Sequence, residues 1–361
     1  MKRNRLFLFL SLLLLVSLTS ACSRKGFTPA DWPGTTVYDD TLYASNNTFI
    51  YAIDKSGKEI DRFPTEPIKG ITFFAAPALI GDDQLLVGSY GNNFYSFDLD
   101  NGYENWVFEN NNRFIADALV LEGMIYAPNA DGQVYALAAN DEGQEVWRFS
   151  PNEKVSDNKP IWASPVSDGE TLYVASMDSS LYAIDTQNGE LRWQADLGAA
   201  AVNGPELGED GMLYIGTFAS EVLAFDKENG QLEWRTNTDQ WVWGSPTVDE
   251  GLVYITDLGG TLYALDAESG KQSWQVSGEG AATGAPLVHE GSIYYVTEGG
   301  EIYAVNPDGV IRWTRSVEDG ALYGSPILFG DLIVVKSAES ETILYAYDFN
   351  GQSQWQFTPE N

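Results

Sequence analysis

Short apolar runs separated by turn residues fill the chain from about residue 34 onward. In residues 244–278 four such runs read SPTV, LVYIT, TLYALD and QSWQV, and they are rich in Val, Ile, Tyr, Leu, Trp and Thr. Runs of this length and composition predict β-strands rather than helices. The Asp-Glu-Gly, Gly-Gly and Glu-Ser-Gly steps between them are typical of tight turns. This stretch therefore predicts four consecutive antiparallel strands.

The same pattern recurs with a period near 40 residues. A Gly-x-x-x-Trp step occurs seven times, and successive tryptophans stand 41, 46, 41, 40, 39 and 42 residues apart. These tryptophans are Trp106, Trp147, Trp193, Trp234, Trp274, Trp313 and Trp355. A Tyr-Ala-x-Asp-like motif precedes each glycine and occurs eight times, because the first repeat also has it. In that repeat Asp61 stands where a tryptophan is expected after Gly57, so we count eight repeats with a divergent first member.

Four-stranded units copied about every 40 residues predict the blades of a β-propeller. We therefore expect an all-β fold, an eight-bladed β-propeller of four-stranded antiparallel blades, as a single domain over residues 34–361. A ring leaves only short, protected sheet edges, whereas an open stack exposes two. The alternative is seven blades plus a partial first repeat. A β-sandwich pair or a solenoid fits strict four-strand repetition less well. Each repeat tryptophan should pack on a neighbouring sheet.

The first residues predict export and lipidation. Lys2, Arg3 and Arg5 precede an apolar stretch, Leu6 to Leu18, that is too short for a bilayer span. Small residues then lead into Cys22, the only cysteine of the chain, in the pattern of a bacterial lipoprotein cleavage box. We expect a signal peptide over residues 1–21, a lipid on Cys22 and a short tether over 22–33. The protein should then be anchored on the extracytoplasmic side of a bacterial membrane.

The charge balance excludes one class of partner. Removal of Lys2, Arg3 and Arg5 with the leader leaves 17 basic against 52 acidic residues, a net charge of −35. Phosphate backbones are bound by basic surfaces, so nucleic acid is not expected as a partner. A strongly acidic surface favours solubility and does not by itself identify a basic ligand. We expect a monomer.

The repeat core, Ala-x-Asp-x-x-x-Gly-x-x-x-Trp, resembles the pyrroloquinoline-quinone-type (quinoprotein-like) repeat over residues 34–358. Enzymes of that family are longer and carry a vicinal Cys pair and a Glu/Asn/Asp calcium set, which cannot be mapped onto a chain with one cysteine. A lipid-anchored eight-bladed propeller of this repeat also resembles the BamB-like lipoproteins, scaffolds of outer-membrane β-barrel assembly. The resemblance to these scaffolds implies a non-enzymatic protein without cofactor. The fold that the chain shares with the quinoprotein enzymes does not by itself imply their activity.

Residues suited to chemistry are sparse. The one histidine, His289, occupies a turn position that Asp249 fills in the sixth repeat. The segment Asp98 to Gly102 looks faintly like a calcium loop, but it lacks the later acidic ligand of that motif. The corresponding segment Asp185 to Gly189 is an ordinary turn. We therefore expect no catalytic residue and no metal site.

Aromatic residues alternate along the segments that precede the blades. Three residues before the Pro-equivalent position the even repeats carry Phe74, Trp162, Trp243 and Tyr323, whereas the odd repeats carry smaller side chains. Trp241, Phe73 and Trp32 lie nearby in sequence. These segments link one blade to the next and should lie on one face near the central channel. Four aromatics at pseudo-fourfold positions would form a binding face; inter-blade packing is the alternative.

Two functions follow from these features. The first is a membrane-tethered scaffold or binding module, which holds a protein partner or an envelope component on one face of the ring. The second is small-ligand or carbohydrate binding by an aromatic ring at the channel mouth. A flat face with an exposed apolar patch favours the first. An open aromatic cup directed at the axis favours the second.

Overall fold

The computed structural model describes residues 34–81, 83–317, 320–338 and 340–360. Over these residues the chain forms eight antiparallel sheets arranged as a ring, an eight-bladed β-propeller. Each blade is made of consecutive strands, and the first repeat builds a complete blade. The expected eight-bladed fold is therefore confirmed, and the seven-bladed alternative is wrong. No helix in this described part has the length and apolar character needed to cross a bilayer.

The first four blades use sixteen strands. Blade 1 contains β1 (Thr35–Tyr38), β2 (Thr41–Asn46), β3 (Phe49–Ile53) and β4 (Glu59–Phe63). Blade 2 contains β5 (Ala78–Ile80), β6 (Gln84–Gly88), β7 (Phe94–Asp98) and β8 (Glu104–Phe108). Blade 3 contains β9 (Leu119–Leu121), β10 (Met124–Pro128), β11 (Val134–Ala138) and β12 (Gln144–Phe149). A 3₁₀ turn (Val155–Asp157) precedes blade 4, with β13 (Val166–Ser167), β14 (Thr171–Ala175), β15 (Ser180–Asp185) and β16 (Leu191–Asp196).

The other four blades repeat this order. Blade 5 contains β17 (Glu206–Leu207), β18 (Met212–Thr217), β19 (Glu221–Asp226) and β20 (Leu232–Asn237). Blade 6 contains β21 (Thr247–Asp249), β22 (Leu252–Thr256), β23 (Thr261–Asp266) and β24 (Gln272–Ser277). Blade 7 contains β25 (Leu287–His289), β26 (Ser292–Val296), β27 (Glu301–Val305) and β28 (Ile311–Ser316). Blade 8 contains β29 (Ala321–Leu322), β30 (Ile327–Phe329), β31 (Leu332–Ala338), β32 (Leu344–Asp348) and β33 (Ser353–Phe357).

The register between the third and fourth strands explains the two sequence motifs. The alanine of the Tyr-Ala-x-Asp motif stands opposite the repeat tryptophan, as Ala183 stands opposite Trp193. In blade 1 the same register places Asp61 opposite Ala52. Asp61 therefore occupies the tryptophan position, as the spacing predicts. A register shift follows this pair in each blade, where a bulge increases the local twist.

The core lies between the blades, because each sheet buries both of its faces against its neighbours. Eight buried clusters are resolved among the described residues, and each joins two adjacent blades. The cluster between blades 4 and 5, for example, contains Leu181 and Leu223. Another joins blade 8 to blade 1 through Phe357 and Leu42. The ring closes by the same apolar packing that joins its other blades.

The repeat tryptophans connect successive blades. Trp193 lies over Gly230 of the next blade, and its Nε1 donates to the Lys227 carbonyl at 3.0 Å. A Cβ on Gly230 would lie 2.5 Å from the indole, and its φ of +71° also favours glycine. Trp355 makes the same contact with Gly57 of blade 1. Its Nε1 donates to the Lys55 carbonyl at 3.0 Å, which closes the ring across 300 residues.

Trp106 departs from this pattern. Its indole lies on Gly143, but its buried Nε1 has no hydrogen-bond partner within the described chain. The turn beneath it contains six residues from Ala138 to Gly143, whereas the equivalent turn contains five from Asp185 to Gly189. The longer turn also has Ala138 where the motif has aspartate, so the turn beneath Trp106 differs from the others both in length and in sequence.

The propeller has two distinct faces. The turn face carries the turns between first and second strands and between third and fourth strands, residues 39–40 and 54–58 in blade 1. The loop face carries the turns between second and third strands and the connections between blades, such as residues 64–77. The segments that carry the predicted aromatic positions belong to the loop face, in agreement with the sequence analysis.

Candidate functional site

The two residues before the proline-equivalent position of each repeat form a belt around the centre of the loop face; in blade 1 only Gly34 is described. This inner belt comprises residues 34, 75–76, 116–117, 163–164, 203–204, 244–245, 284–285 and 324–325. Neighbouring segments touch through their backbones, since a Cβ at Gly284 would collide with Gly324. Side chains add bonds between blades, as where the Ala285 amide donates to Ser325 Oγ at 2.8 Å. Small residues recur here because adjacent backbones leave no room for larger ones.

Two ionisable side chains lie at this belt, the half-buried Asp117 and the buried Lys336. The Ala76 amide donates to Asp117 Oδ1 at 2.6 Å. Burial raises the pKa of Asp117, whereas this bond, the bond to Ser164 and the charge of Lys336 act to lower it. Lys336 Nζ donates to the carbonyls of Gly34 at 3.1 Å and Ser45 at 3.0 Å. Burial lowers the pKa of Lys336 well below its ordinary value, and the charge of Asp117 opposes that shift. The lysine thus bonds blade 8 to blade 1.

Glu206 is a second charged group near the axis. It lies on the inner strand β17, at the position that Val166 and Leu287 fill with apolar side chains in blades 4 and 7. Burial raises its pKa to about 7. The sequence signal was an ionisable residue at a repeat position that otherwise holds apolar residues or threonine, and comparison of the repeats at that position could have found it.

The predicted aromatic positions differ in their surroundings. Phe74 is only 5% exposed and packs edge-on against Tyr90, with ring centroids 4.9 Å apart. The Arg113 guanidinium lies 5.2 Å from the centre of the Tyr90 ring. Phe74 therefore contributes to packing between the connections around blade 2 and presents little surface to a ligand.

Three rings do form a surface cluster between blades 5 and 6, which we call the aromatic patch: Phe218, Trp241 and Trp243. Trp241 stacks on Phe218 with centroids 5.3 Å apart and planes at 20°, and Trp243 lies 5.4 Å from the same ring. Trp241 is 53% exposed, and Trp243 is half-buried. Phe218 was not predicted from the sequence, because it lies in the turn after β18 and contacts the tryptophans only through the tertiary fold.

Backbone hydrogen bonds hold this patch in place. The Phe218 amide donates to the Ala200 carbonyl at 3.0 Å, and the Leu258 amide donates to the Trp241 carbonyl at 2.8 Å. The Val242 amide donates to the Thr217 carbonyl at 3.2 Å. The exposed indole of Trp241 is therefore carried by a backbone that is fixed on both sides. Such a side chain loses little conformational freedom when a partner covers it.

The remaining predicted residues stand apart from the patch. Trp162 is half-buried, and its buried Nε1 has no hydrogen-bond partner in the described structure. Tyr323 is partly buried, and its amide donates to the Lys336 carbonyl at 3.2 Å. Trp32, the signal peptide, Cys22 and the tether lie outside the described residues. The alternating positions therefore differ from one another, and among the predicted residues that the structure describes Trp241 has the most exposed side chain.

The chain around the patch carries few charges. Residues 197–205, LGAAAVNGP, and residues 217–220, TFAS, contain no ionisable side chain, and Asp239 lies exposed at the edge. His289 lies on the turn face with its ring 4.8 Å from that of Phe349, and Asp98 accepts the amides of its own turn. Over the described residues no group of three or more His, Cys, Asp or Glu could hold a metal ion. The patch is suited to binding by contact rather than to acid–base chemistry.

An eight-bladed propeller of this repeat defines the class of quinoprotein-type repeat propellers. Within it, the sequence profile described as "Outer membrane protein assembly factor BamB" matches residues 46–204, 131–240, 203–285 and 278–361. Because these matches cover most of the chain, the protein belongs to that family.

Curated relatives match shorter segments. "Outer membrane protein assembly factor BamB" of Marinobacter adhaerens is 32% identical over 76 residues, 21% of this chain and 19% of that protein. The Escherichia coli K12 protein of the same name is 31% identical over 88 residues, 23% and 22% of the two chains. "Quinohemoprotein alcohol dehydrogenase ADH-IIG" of Pseudomonas putida is 28% identical over 116 residues, 29% and 14%. The matches span less than a quarter of each relative.

Solved structures match nearly the whole propeller. BamB from Moraxella catarrhalis superimposes with a TM-score of 0.70 at 16% identity, over 87% of this chain and 96% of that one. The computationally designed Ika8 protein gives a TM-score of 0.74 at 11% identity, over 89% and 97%. At these identities the likeness shows a shared fold.

Proposed function

We propose that this protein is a non-enzymatic interaction module that holds a protein partner on the loop face, with the aromatic patch at the centre of the contact. The observation that carries this proposal is Trp241, which is 53% exposed although its backbone is fixed. Tryptophan is enriched among the few residues that supply most of the energy of protein interfaces. The relatives named as outer membrane protein assembly factors support a role in that process.

Membrane tethering is the second part of the proposal. The positive leader, the apolar stretch and Cys22 support export followed by lipidation of the cysteine. Several acyl chains on one residue hold a protein on a membrane durably, since each buried methylene contributes about 0.8 kcal/mol. The propeller would then act on the extracytoplasmic side of the cell envelope, close to the membrane that carries it.

Two other functions are weaker candidates. Stacking of a sugar or another small ligand would use the open face of Trp241, but the patch presents one ring that is 53% exposed rather than a cup around the axis. Redox catalysis is suggested by the quinohemoprotein relative. The family's vicinal cysteine pair cannot exist here, because the chain has a single cysteine. Contact with a protein therefore accounts best for the patch.

The test is capture of partners from native membranes by the full-length lipidated protein after mild crosslinking. Trp241→Ala should remove the captured species. Tyr103→Ala is the matched control, because Tyr103 is a 67% exposed aromatic residue on the turn face. Equal capture by wild type and Trp241→Ala would exclude the patch as the contact. If only Tyr103→Ala loses capture, the interface lies on the turn face instead.

A further inference from the structure

The chain enters the propeller from the loop face. Gly34, the first described residue, lies in the inner belt, where its amide donates to the Phe74 carbonyl at 2.6 Å. A Cβ at this position would collide with the backbone of Ala75 and Ala76, so Gly34 is held close to blade 2. From there β1 runs from the loop face toward the turn at Asp39. Whatever precedes Gly34 therefore leaves the domain on the loop face, near the axis.

The reach of the preceding segment is limited. Cys22 stands twelve residues before Gly34 in the sequence. A fully extended chain spans at most about 3.3–3.6 Å per residue, so the cysteine lies within roughly 40 Å of the inner belt. To present the turn face to a membrane, this segment would first have to pass from the axis to the rim and then along the side of the ring.

The turn face is more acidic than the loop face, where the connections 64–77 and 150–165 carry equal numbers of acidic and basic residues and the connection 197–205 carries none. Each described turn of the turn face carries at least one acidic residue, either within the turn or as the last residue of the strand that leads into it. Those between first and second strands carry Asp39, Asp83, Glu122, Asp168, Asp210, Asp249, Glu290 and Asp331. Those between third and fourth strands carry Asp54, Asp98, Asp141, Asp185, Asp226, Asp266, Asp308 and Asp348. An anionic lipid surface repels such a face once it approaches within the screening distance of about 8 Å.

From these two observations we infer that the loop face is the membrane-facing side of the propeller and that the turn face points away from the lipid. The inference deepens the proposed function and depends on the proposed anchor at Cys22. It also restricts the partner. A protein bound at the aromatic patch must present its binding segment in the space between the propeller and the bilayer, within roughly 40 Å of the lipid surface.

The lone cysteine makes this inference testable by site-specific labelling. Acylation consumes the thiol of Cys22, so a maleimide fluorophore reacts only with an introduced cysteine. Ala219→Cys labels an exposed position on the loop face beside Phe218, and Gln187→Cys labels an exposed position on the turn face. Both replace an uncharged residue. Each full-length lipidated variant is reconstituted into phosphatidylethanolamine–phosphatidylglycerol vesicles that contain an acceptor dye on the lipid headgroups, and energy transfer is measured.

The expected result is a higher transfer efficiency from Ala219→Cys than from Gln187→Cys. Equal efficiencies, or the reverse order, would overturn the orientation while the anchor and the binding function stand. Cys22→Ser versions of both variants, labelled before they are mixed with vesicles, should show transfer near zero. If the lipidated variants do not stay on the vesicles, the anchor itself is wrong and the orientation falls with it. Partner capture by Trp241 is scored separately and tests the binding function.

Discussion

Tryptophans occupy two regions of this propeller and have different surroundings in each. Near the turn face, Trp193 lies over a glycine of the next blade and donates its Nε1 to a backbone carbonyl. On the loop face, Trp241 stacks on Phe218 and leaves about half of its surface to solvent. A tryptophan of the repeat motif therefore holds adjacent blades together where it packs on a glycine of the same motif in the next blade. A tryptophan outside the repeat motif is free to serve contact with another molecule.

The loop face itself contains a closer comparison. Phe74 and Trp243 occupy the same repeat position in blades 2 and 6. Phe74 is buried against Tyr90, which lies in the turn of its own blade, whereas Trp243 packs on Phe218 from the preceding blade. The residue two positions earlier is Thr72 in one case and the exposed Trp241 in the other. The neighbouring residues, rather than the repeat position, decide whether an aromatic ring is buried in the protein or lies in an exposed patch.

The largest expected effect is the loss of a repeat tryptophan. Trp193→Ala and Trp274→Ala should each lower the free energy of unfolding by about 3–5 kcal/mol, since each removes a ring packed on the next blade. Asp61→Ala, at the same register position in blade 1, is the control and should cost less than about 1 kcal/mol, because Asp61 is exposed. Denaturant unfolding measures all three. Equal losses would refute the view that blade 1 is held without a tryptophan at this position.

Phe74→Ala should have the next largest effect on stability, and its comparison with Trp241→Ala distinguishes a packed aromatic residue of the loop face from an exposed one. Because Phe74 is 5% exposed, its truncation should lower the free energy of unfolding by about 3–5 kcal/mol. Trp241→Ala should change stability by less than about 0.5 kcal/mol, as exposed substitutions usually do. Urea unfolding of the two variants gives the comparison. A large loss for Trp241→Ala would assign the patch to packing.

Glu206 links stability to pH near the axis. Its pKa is about 7 in the folded protein against an ordinary value of 4.5, so the cost of burying the carboxylate grows as pH rises from 4.5 to about 7. A difference of this size corresponds to about 3 kcal/mol. Glu206→Gln should therefore stabilise the protein by up to about 3 kcal/mol at pH 8 and by little at pH 4. The exposed Glu209→Gln is the control, and unfolding at both pH values is the measurement. An equal gain at pH 4 and pH 8 would refute the assignment.

The double variant Trp162→Ala, Trp243→Ala tests the predicted aromatic ring as a whole. If both residues belong to a binding face, partner capture should be lost while the unfolding curve moves little. If they serve packing, the double variant should lose several kcal/mol of stability. Since both indoles are half-buried, capture and unfolding must be measured on the same preparation. A stable variant that still captures its partner would remove both residues from the site.

The smallest effect on the fold is expected at the anchor. Cys22→Ser should leave the unfolding curve of the propeller unchanged, because residue 22 precedes the first belt residue by twelve positions. The same change should move the protein from the membrane fraction to the soluble fraction, since the acyl chains have no other cysteine to modify. Fractionation after a high-salt wash measures this. A mutant that still sediments with membranes would contradict lipidation.

The sequence by itself determined the architecture of this protein. Apolar runs of four to six residues, turn glycines and a 40-residue period are local features, and each is read from neighbours in the chain. The role of Trp193 was also predictable, because its partner Gly230 belongs to the same repeated motif one period later. Even the missing tryptophan of blade 1 was located correctly, since Asp61 keeps the register with Ala52.

Only the tertiary structure decided which aromatic side chains form a surface and which charges are buried. Phe218 and Trp241 are distant in sequence and meet because blades 5 and 6 stand side by side. Lys336 meets Gly34 only because the ring closes between its first and last blades. Exposure and pKa depend on all the neighbours of a side chain in space, and most of those neighbours come from another repeat. The repeat pattern specifies the strand or turn position of a residue, and the packing of adjacent blades specifies which groups surround its side chain.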